Sequence, residues 1–300
     1  MRILVTGGAG YIGSHVVRAL SSAGHSPMVV DDLSFGKQAR IGDTPLFSFD
    51  LAGETGETEL SALFDQQQID AVIHLAARKS VAESVEKPDY YEQQNVGGVN
   101  NLLAAMKVSG IEKLVFSSSA AVYGSPEISK VDEEYPCKPI NPYGATKLIG
   151  EQLISEAVST WGLKAVALRY FNVAGAGYKD LADSSVANLI PIALNAFKNG
   201  QPVQVFGSDW PTPDGTCIRD YIHIQDLCSA HWLGLQALLQ KGGCQAYNLG
   251  NGQGFSVQEV IDTAERVTRR KIPVIDAPRR AGDPARLVAD ARRAREQLGW

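Results

Sequence analysis

The sequence predicts an α/β fold: a doubly wound parallel sheet, followed by a smaller C-terminal α/β lobe. Three observations carry this. Short apolar strands alternate with amphipathic helical segments, a glycine-rich turn joins the first strand to the first helix, and the alternation loosens beyond residue 172. Continuous apolar strands separated by helices are buried on both faces, which is the pattern of a parallel sheet covered by helices.

Residues 3–5 are an apolar run and read as the first strand. The run leads into Thr6-Gly7-Gly8-Ala9-Gly10-Tyr11-Ile12-Gly13, after which Ile12, Val16, Val17 and Leu20 fall at helical spacing and Gly24 ends the helix. Met28-Val29-Val30 reads as the second strand and ends in Asp31-Asp32. Residues 71–75, 114–116 and 166–168 read as further strands, separated by helical segments over 95–108 and 143–158. Residues 173–185 are small and polar and read as a loop, 188–199 as a helix and 203–207 as a short strand. The stretch 209–215, with two prolines and a glycine, is turn-rich. No Gly/Ser-rich or Pro-rich linker interrupts the chain, so the second lobe is expected to pack on the first. The reading divides the chain into residues 1–172 and 173–300, with part of 220–250 free to return to the first sheet.

Composition excludes several classes of function. The 300 residues carry 28 Lys+Arg against 33 Asp+Glu, a net charge of −5, so no basic surplus points to nucleic acid. No apolar run approaches the roughly 20 residues of a membrane span. Cys137, Cys217, Cys228 and Cys244 are widely spaced, without a C-x-x-C pair, and read as thiols in a reducing compartment. The first strand begins at once and leaves no room for a targeting segment, so the reading is cytoplasmic. His74 lies inside an apolar strand and reads as a core residue. His15, His25, His223 and His231 have no carboxylate or cysteine at ligand spacing, and no metal is expected.

In open parallel sheets ligands bind beyond the carboxyl ends of the strands. There the Gly7-x-x-Gly10-x-x-Gly13 spacing follows a strand and opens a helix, the Rossmann-type arrangement. Glycines allow a tight turn and close approach of the backbone to a pyrophosphate, which the helix N-terminus attracts. Asp31, 18 residues past Gly13, can accept from the adenosine ribose hydroxyls and repels a 2′-phosphate, which favours NAD over NADP. Asp32 on its own reads equally well as a turn residue. Tyr143 and Lys147 stand four apart on a helix opened by Asn141-Pro142, hence on one face. A lysine ammonium and a nicotinamide cation beside the phenol would lower its pKa and make Tyr143 an acid/base near neutrality. Ser119, 24 residues earlier, can bond the same substrate hydroxyl, or simply cap a strand end.

Taken in order, TGGAGYIG at the start, SSSAAVYG at 117–124, NPYGATK at 141–147, RYFN at 169–172, RDYIH at 219–223, YNLG at 247–250 and APRRAGD at 277–283 resemble the extended short-chain dehydrogenase/reductase family. The resemblance is strongest to its UDP-hexose 4-epimerase branch and runs over essentially the whole chain. It implies NAD-dependent interconversion of UDP-galactose and UDP-glucose by transient C4 oxidation to a 4-keto sugar, rotation and re-reduction. In that scheme Tyr143 takes the proton of the 4-hydroxyl, Ser119 assists, and Lys147 lowers the tyrosine pKa and holds the nicotinamide ribose. The resemblance implies that Tyr11, Ile12, Asp31, Asp50, Leu51, Ala76, Lys79, Asn95 and Phe171 line the cofactor. It places Asn172, Asn188, Leu189 and Phe206 on the UDP-sugar, Arg219 and Arg280 on its diphosphate and Asp283 on its uridine ribose, and it implies a homodimer built on two long helices.

The chain departs from the family pattern at Ala121, where close members often carry threonine. It also has a shorter loop between Asn172 and Asn188, and ends at Leu298-Gly299-Trp300, where members usually continue for another helix. Leu287 stands at the position that tunes acceptance of N-acetylated sugars. Alternatives on the same scaffold are a UDP-pentose or UDP-glucuronate epimerase and a decarboxylase; from another class, a non-catalytic NAD-binding regulatory protein. A dehydratase would need an acid/base pair beside Ser119, where Ala120 and Ala121 stand.

Overall fold

The computed structural model describes residues 1–240 and 243–300. Its strands are β1 (Arg2–Thr6), β2 (Ser26–Val30), β3 (Leu46–Phe47), β4 (Ala71–His74), β5 (Lys113–Ser119), β6 (Lys164–Tyr170) and β7 (Asn172–Ala174). They are followed by β8 (Val203–Phe206), β9 (Ile218–Arg219), β10 (Tyr221–His223), β11 (Cys244–Leu249), β12 (Phe255–Ser256), β13 (Val274–Ala277) and β14 (Arg286–Leu287). Seven of them form one parallel sheet in the order β11-β6-β5-β4-β1-β2-β3. The chain runs outward from β1 to β3, then crosses back to β4 and continues the other way. The crevice at this reversal is where such a sheet binds ligands. The expected doubly wound fold is borne out.

The helices are α1 (Tyr11–Ser22), α2 (Gly56–Gln67), α3 (Val81–Glu86), α4 (Pro88–Tyr91), α5 (Gly98–Val108), α6 (Pro142–Trp161), α7 (Leu189–Asn199), α8 (Ile224–Gln240), α9 (Val257–Thr268) and α10 (Arg292–Leu298). One apolar layer joins Val16, Val17 and Leu20 of α1 and Leu227, Leu235 and Leu238 of α8 to one face of the sheet. A second joins Leu60 and Phe64 of α2, Leu102 and Met106 of α5 and Ile154 of α6 to the other. Beyond the sheet, α7, α9, β8 and β13 enclose a small core of Ala193, Ala196, Val203, Val205, Ile261 and Ile272. A capping box, Ser256 with Glu259, starts α9.

The structure differs from the sequence reading in two places. Residues 173–185 are not all loop: β7 pairs in parallel with β10, and a 3-10 turn covers Lys179–Leu181. A three-residue strand with one neighbour shows no apolar run, so polarity hid it. Residues 92–97 form a π-helical turn ahead of α5, where an α-helix was expected to begin. From the second half of the chain, α8 packs on α1, β5 and β6, and β11 adds an edge strand beside β6.

Candidate active site

The glycine turn is shaped by close approach. Gly7 adopts φ +69°, and a Cβ there would lie 2.7 Å from the Ala76 nitrogen. On Gly13 a Cβ would meet the Gly7 carbonyl oxygen at 2.1 Å, so only glycine seats α1 on the turn. Gly10 caps α1 without a side-chain bond, and a Cβ there would touch only the Gly7 oxygen at 3.3 Å. The first turn of α1 carries no acidic residue, so its free N–H groups suit a pyrophosphate.

Asp31 is buried beside this turn. Its Oδ2 accepts from the Ala9 N–H and its Oδ1 from the Leu33 N–H, each at 2.9 Å; burial raises its pKa while these bonds oppose the rise. Asp32 accepts from the N–H and hydroxyl of Ser34 and from Arg78. Burial pushes the Asp32 carboxyl up, but the Ser34 and Arg78 bonds outweigh it and hold the pKa low. The two oxygens of Asp50 accept from the Ala52 N–H at 2.9 Å and the Gln94 amide at 3.0 Å. Leu51 points into the core, while its carbonyl accepts from Asn101 at 2.8 Å. The Ala76 N–H donates to Thr6 Oγ1, and Lys79 stands exposed at the rim.

Asn95 is fully committed. Its Oδ1 accepts from the Arg78 N–H at 2.8 Å, and its Nδ2 donates to the Arg78 carbonyl and to Thr146 Oγ1, both at 3.0 Å. It ties the loop after β4 to α6. Ile12 packs against the first apolar layer, and the Tyr11 hydroxyl donates to the Gly175 carbonyl at 2.6 Å, pinning the segment after β7 over α1.

Asn141 caps α6 by accepting from the Gly144 N–H at 2.8 Å. A Cβ on Gly144 would fall 2.5 Å from the Ala121 carbonyl oxygen. Glycine therefore lets the start of α6 press on the turn after β5, which brings Tyr143 to Ser119. Burial raises the Tyr143 pKa, and a hydrogen bond from Ser119 lowers it in part. The Ser119 oxygen also accepts from the Ala121 N–H at 3.2 Å, so it is a cap as well as a site residue. Lys147 is buried over the Phe116 ring and donates to the Ser117 carbonyl at 2.9 Å. Burial pushes its pKa down to about 8, opposed by Glu151. The lysine's hydrogen bond goes to this β5 carbonyl, and burial is the largest influence on the phenol.

Across the crevice, Arg219 lies 3.6 Å from Asp283, and Arg280 donates to the same carboxylate at 2.9 Å. The Arg280 guanidinium sits 5.2 Å above the Phe206 ring. Asn172 is exposed on β7, in register with Tyr221 of β10. Asn188 opens α7 without capping it, and Leu189 behind it packs on the small core of the second lobe. Phe171 is buried with Ala120, Val122, Tyr123, Val131, Leu287 and Ala289, and its N–H donates to the Leu249 carbonyl.

Sequence reasoning left Asp220, Glu151, Arg169 and Arg78 unassigned. Asp220 is buried and accepts from the N–H groups of Asn251, Gly252 and Ala289, anchoring the loops behind Arg219. Its place in the RDYIH block beside Arg219 is the signal that could have found it. His74 pairs with Thr6 Oγ1 at 2.8 Å and burial pushes its pKa down to about 3. Among the described residues no cluster of three His, Cys, Asp or Glu could hold a metal ion, and no helix is long and apolar enough to cross a membrane. All four cysteines are free.

The family model described as the NAD dependent epimerase/dehydratase family matches residues 3–250. The chain belongs to that family. The UDP-glucose 4-epimerase of Azospirillum brasilense is 48% identical over 305 residues, spanning all of this chain and 86% of the relative. A crystal structure of the Brucella ovis UDP-glucose 4-epimerase in complex with NAD superposes with a TM-score of 0.92 at 42% identity, covering 100% of this chain and 92% of that one. The Stenotrophomonas maltophila enzyme, solved with NAD and formylated UDP-arabinopyranose, gives 0.93 at 43% identity, covering 100% and 93%. Both solved structures thus share the fold of this chain over its whole length.

Proposed function

We propose that the protein is a cytoplasmic UDP-glucose 4-epimerase that interconverts UDP-galactose and UDP-glucose with bound NAD. One observation carries the assignment: Asn141, the cap of the helix that bears Tyr143 and Lys147, donates to the Gly282 carbonyl at 3.3 Å and so joins that helix to the loop of the Arg219–Asp283–Arg280 cluster. The whole-chain identity of 48% to a UDP-glucose 4-epimerase supports it. The residues fit a dinucleotide: the turn tolerates no Cβ at Gly7 or Gly13, and Asp31 is held at the neighbouring strand end. When bound, NAD would supply the hydride acceptor and donor for the sugar C4.

The chain's own groups do the rest. Gly7, Gly10, Gly13, Tyr11 and Ile12 hold the pyrophosphate, Asp31 and Asp32 the adenosine ribose side, and Asp50, Leu51, Ala76, Lys79, Asn95 and Phe171 the remaining walls. Tyr143 accepts the proton of the sugar 4-hydroxyl, and Ser119 orients that hydroxyl and the phenol. Lys147 supplies positive charge under the nicotinamide ribose. Arg219 and Arg280 grip the diphosphate with guanidinium forks, and Asp283 orients them and reaches the uridine ribose. Asn172, Asn188, Leu189 and Phe206 bound the UDP-sugar. Firm hold on the nucleotide and loose hold on the sugar let the 4-keto sugar turn over between the two hydride transfers. We assign the cofactor to residues 1–172 with α8 and β11, and the sugar nucleotide to the remainder, in a homodimer built on α5 and α6. Purified protein incubated with UDP-galactose should yield UDP-glucose without net NADH. Absence of conversion with NAD bound would overturn the assignment, and sedimentation tests the dimer.

A further inference from the structure

Glu151 lies one helical turn beyond Lys147 and two beyond Tyr143, on the same face of α6. Its Oε1 accepts from the Ser118 hydroxyl at 2.5 Å and from Arg169 Nε at 2.9 Å, and its Oε2 from Arg169 Nη2 at 2.6 Å. Ser118 is the immediate neighbour of Ser119 on β5. Both members of the Glu151–Arg169 pair are nearly buried, with side chains 11% and 9% exposed. From Arg169 the network continues to the Tyr123 hydroxyl at 2.9 Å, then to Asn248 Oδ1 on β11 at 2.7 Å. The Asn248 N–H donates to Glu133 at 2.7 Å, and Glu133 pairs with Arg293 of α10 at 3.5 Å.

We propose that Glu151 is a positioning residue for the epimerase reaction: the buried anchor that holds Tyr143 and Lys147 of α6 in register with Ser119 of β5. This rests on the function proposed above. A buried carboxylate with both oxygens in directed bonds to two adjacent strands fixes the rotation of its helix more firmly than apolar packing does. The interaction is directional because Ser118 and Arg169 point from β5 and β6 to one side of α6.

Its charge serves the same end. The groups facing Lys147 are Glu151 on α6, His74 on β4, and the Phe116 ring and Ser117 carbonyl on β5, with His231 of α8 bonded to Ser117 behind it; Tyr170 and Arg169 of β6 lie beyond. Burial keeps both histidines neutral and the Tyr170 phenol protonated, and Arg169 is spent on Glu151 and Tyr123. Glu151 is the anion that acts on Lys147 and favours its ammonium.

The test compares the unmodified protein with Glu151→Gln, which keeps the shape and one acceptor but removes the charge. The expected result is unchanged bound NAD and KM, kcat lower by at least tenfold at pH 8, and an alkaline limb of kcat about one pH unit lower. Glu151→Gln leaves the buried Arg169 without its anion and is prone to misfold, so Glu151→Gln/Arg169→Met removes both buried charges and provides a second route to the same shift. The Lys147 side-chain titration followed by NMR, with Lys147→Met for assignment, reads the charge effect whether or not UDP-galactose is converted. Failure of the unmodified protein to convert it overturns the proposed function alone. A Lys147 titration and a kcat profile that stay as in the parent while only the melting temperature falls would overturn the positioning role.

Discussion

Arg78 Nη2 lies 2.7 Å from the Asp32 carboxylate and so bridges the loops after β4 and β2. The same guanidinium donates to Ser34 and Gln94 and lies against the rings of Phe35 and Tyr90, at 5.4 and 5.6 Å. An arginine near the ribose-binding acid is the feature that accommodates a 2′-phosphate in NADP enzymes. Here Asp32 neutralises it. Asp32→Ala should leave the Arg78 guanidinium without an anionic partner, still bonded to Ser34 and Gln94, and raise affinity for NADP relative to NAD by roughly tenfold, about 1.4 kcal/mol. Calorimetric titration of the cofactor-free protein with both dinucleotides checks this, and an unchanged ratio would show that Asp31 alone sets the preference.

Tyr143→Phe should lower kcat by about 10² to 10⁴, the usual contribution of a positioned acid/base. Bound NAD should be retained, since the glycine turn and Asp31, not the phenol, are the groups fitted to the dinucleotide. Conversion of UDP-galactose and the absorbance of released NAD together separate loss of chemistry from loss of cofactor.

Lys147→Met should abolish most activity yet stabilise the protein. Burial lowers the folded pKa of Lys147 to about 8 from an ordinary 10.5. Between those values the unfolded chain binds the additional proton, so stability rises with pH across that window. Below about pH 8 the unfavourable burial of the ammonium is present in full, on the order of 3 kcal/mol. Methionine removes it, so the melting temperature at pH 7 should rise by several degrees, and the stability gain should fade above pH 10.

His74 and His231 act in the opposite pH range. Burial holds their folded pKa values at about 3 and about 4, against 6.5 when unfolded. From pH 6.5 down to about 4 the unfolded state binds more protons, and each histidine removes roughly 1.4 kcal/mol of stability per pH unit. Urea midpoints measured across that range should show this slope, and His74→Gln should reduce it by about half.

Arg219→Ala should weaken UDP binding by roughly 10- to 100-fold, the loss of charge-assisted bonds worth about 1.5 to 3 kcal/mol. It should leave Asp283 paired with Arg280 and bound NAD unaffected. Titration with UDP, followed by calorimetry, tests it. An effect confined to kcat would place Arg219 elsewhere in the reaction.

What could be read from the sequence was local. The glycine turn announces itself because each glycine answers a contact within a few residues or at the adjacent strand, as Gly13 does against Gly7. Tyr143 and Lys147 are legible because a helix converts a spacing of four into one face. Parallel strands are legible because burial on both sides leaves unbroken apolar runs.

The tertiary structure decided where polar residues point. Glu151 and Arg169 are 18 apart and Asn248 and Glu133 115 apart, and each would read alone as a solvated surface group. Only the packing of α6 on β5 and β6 buries the first pair, and only the insertion of β11 beside β6 brings the second together. The same packing sets the surroundings of Tyr143 and Lys147. Sequence spacing puts Lys147 near Tyr143, but a buried ammonium takes the nearest carbonyl, that of Ser117, and desolvation raises the phenol pKa. Residue order thus determined the sheet, the turn and the α6 face that carries Tyr143 and Lys147. The dielectric surroundings and long-range partners that set each group's charge came only with the fold.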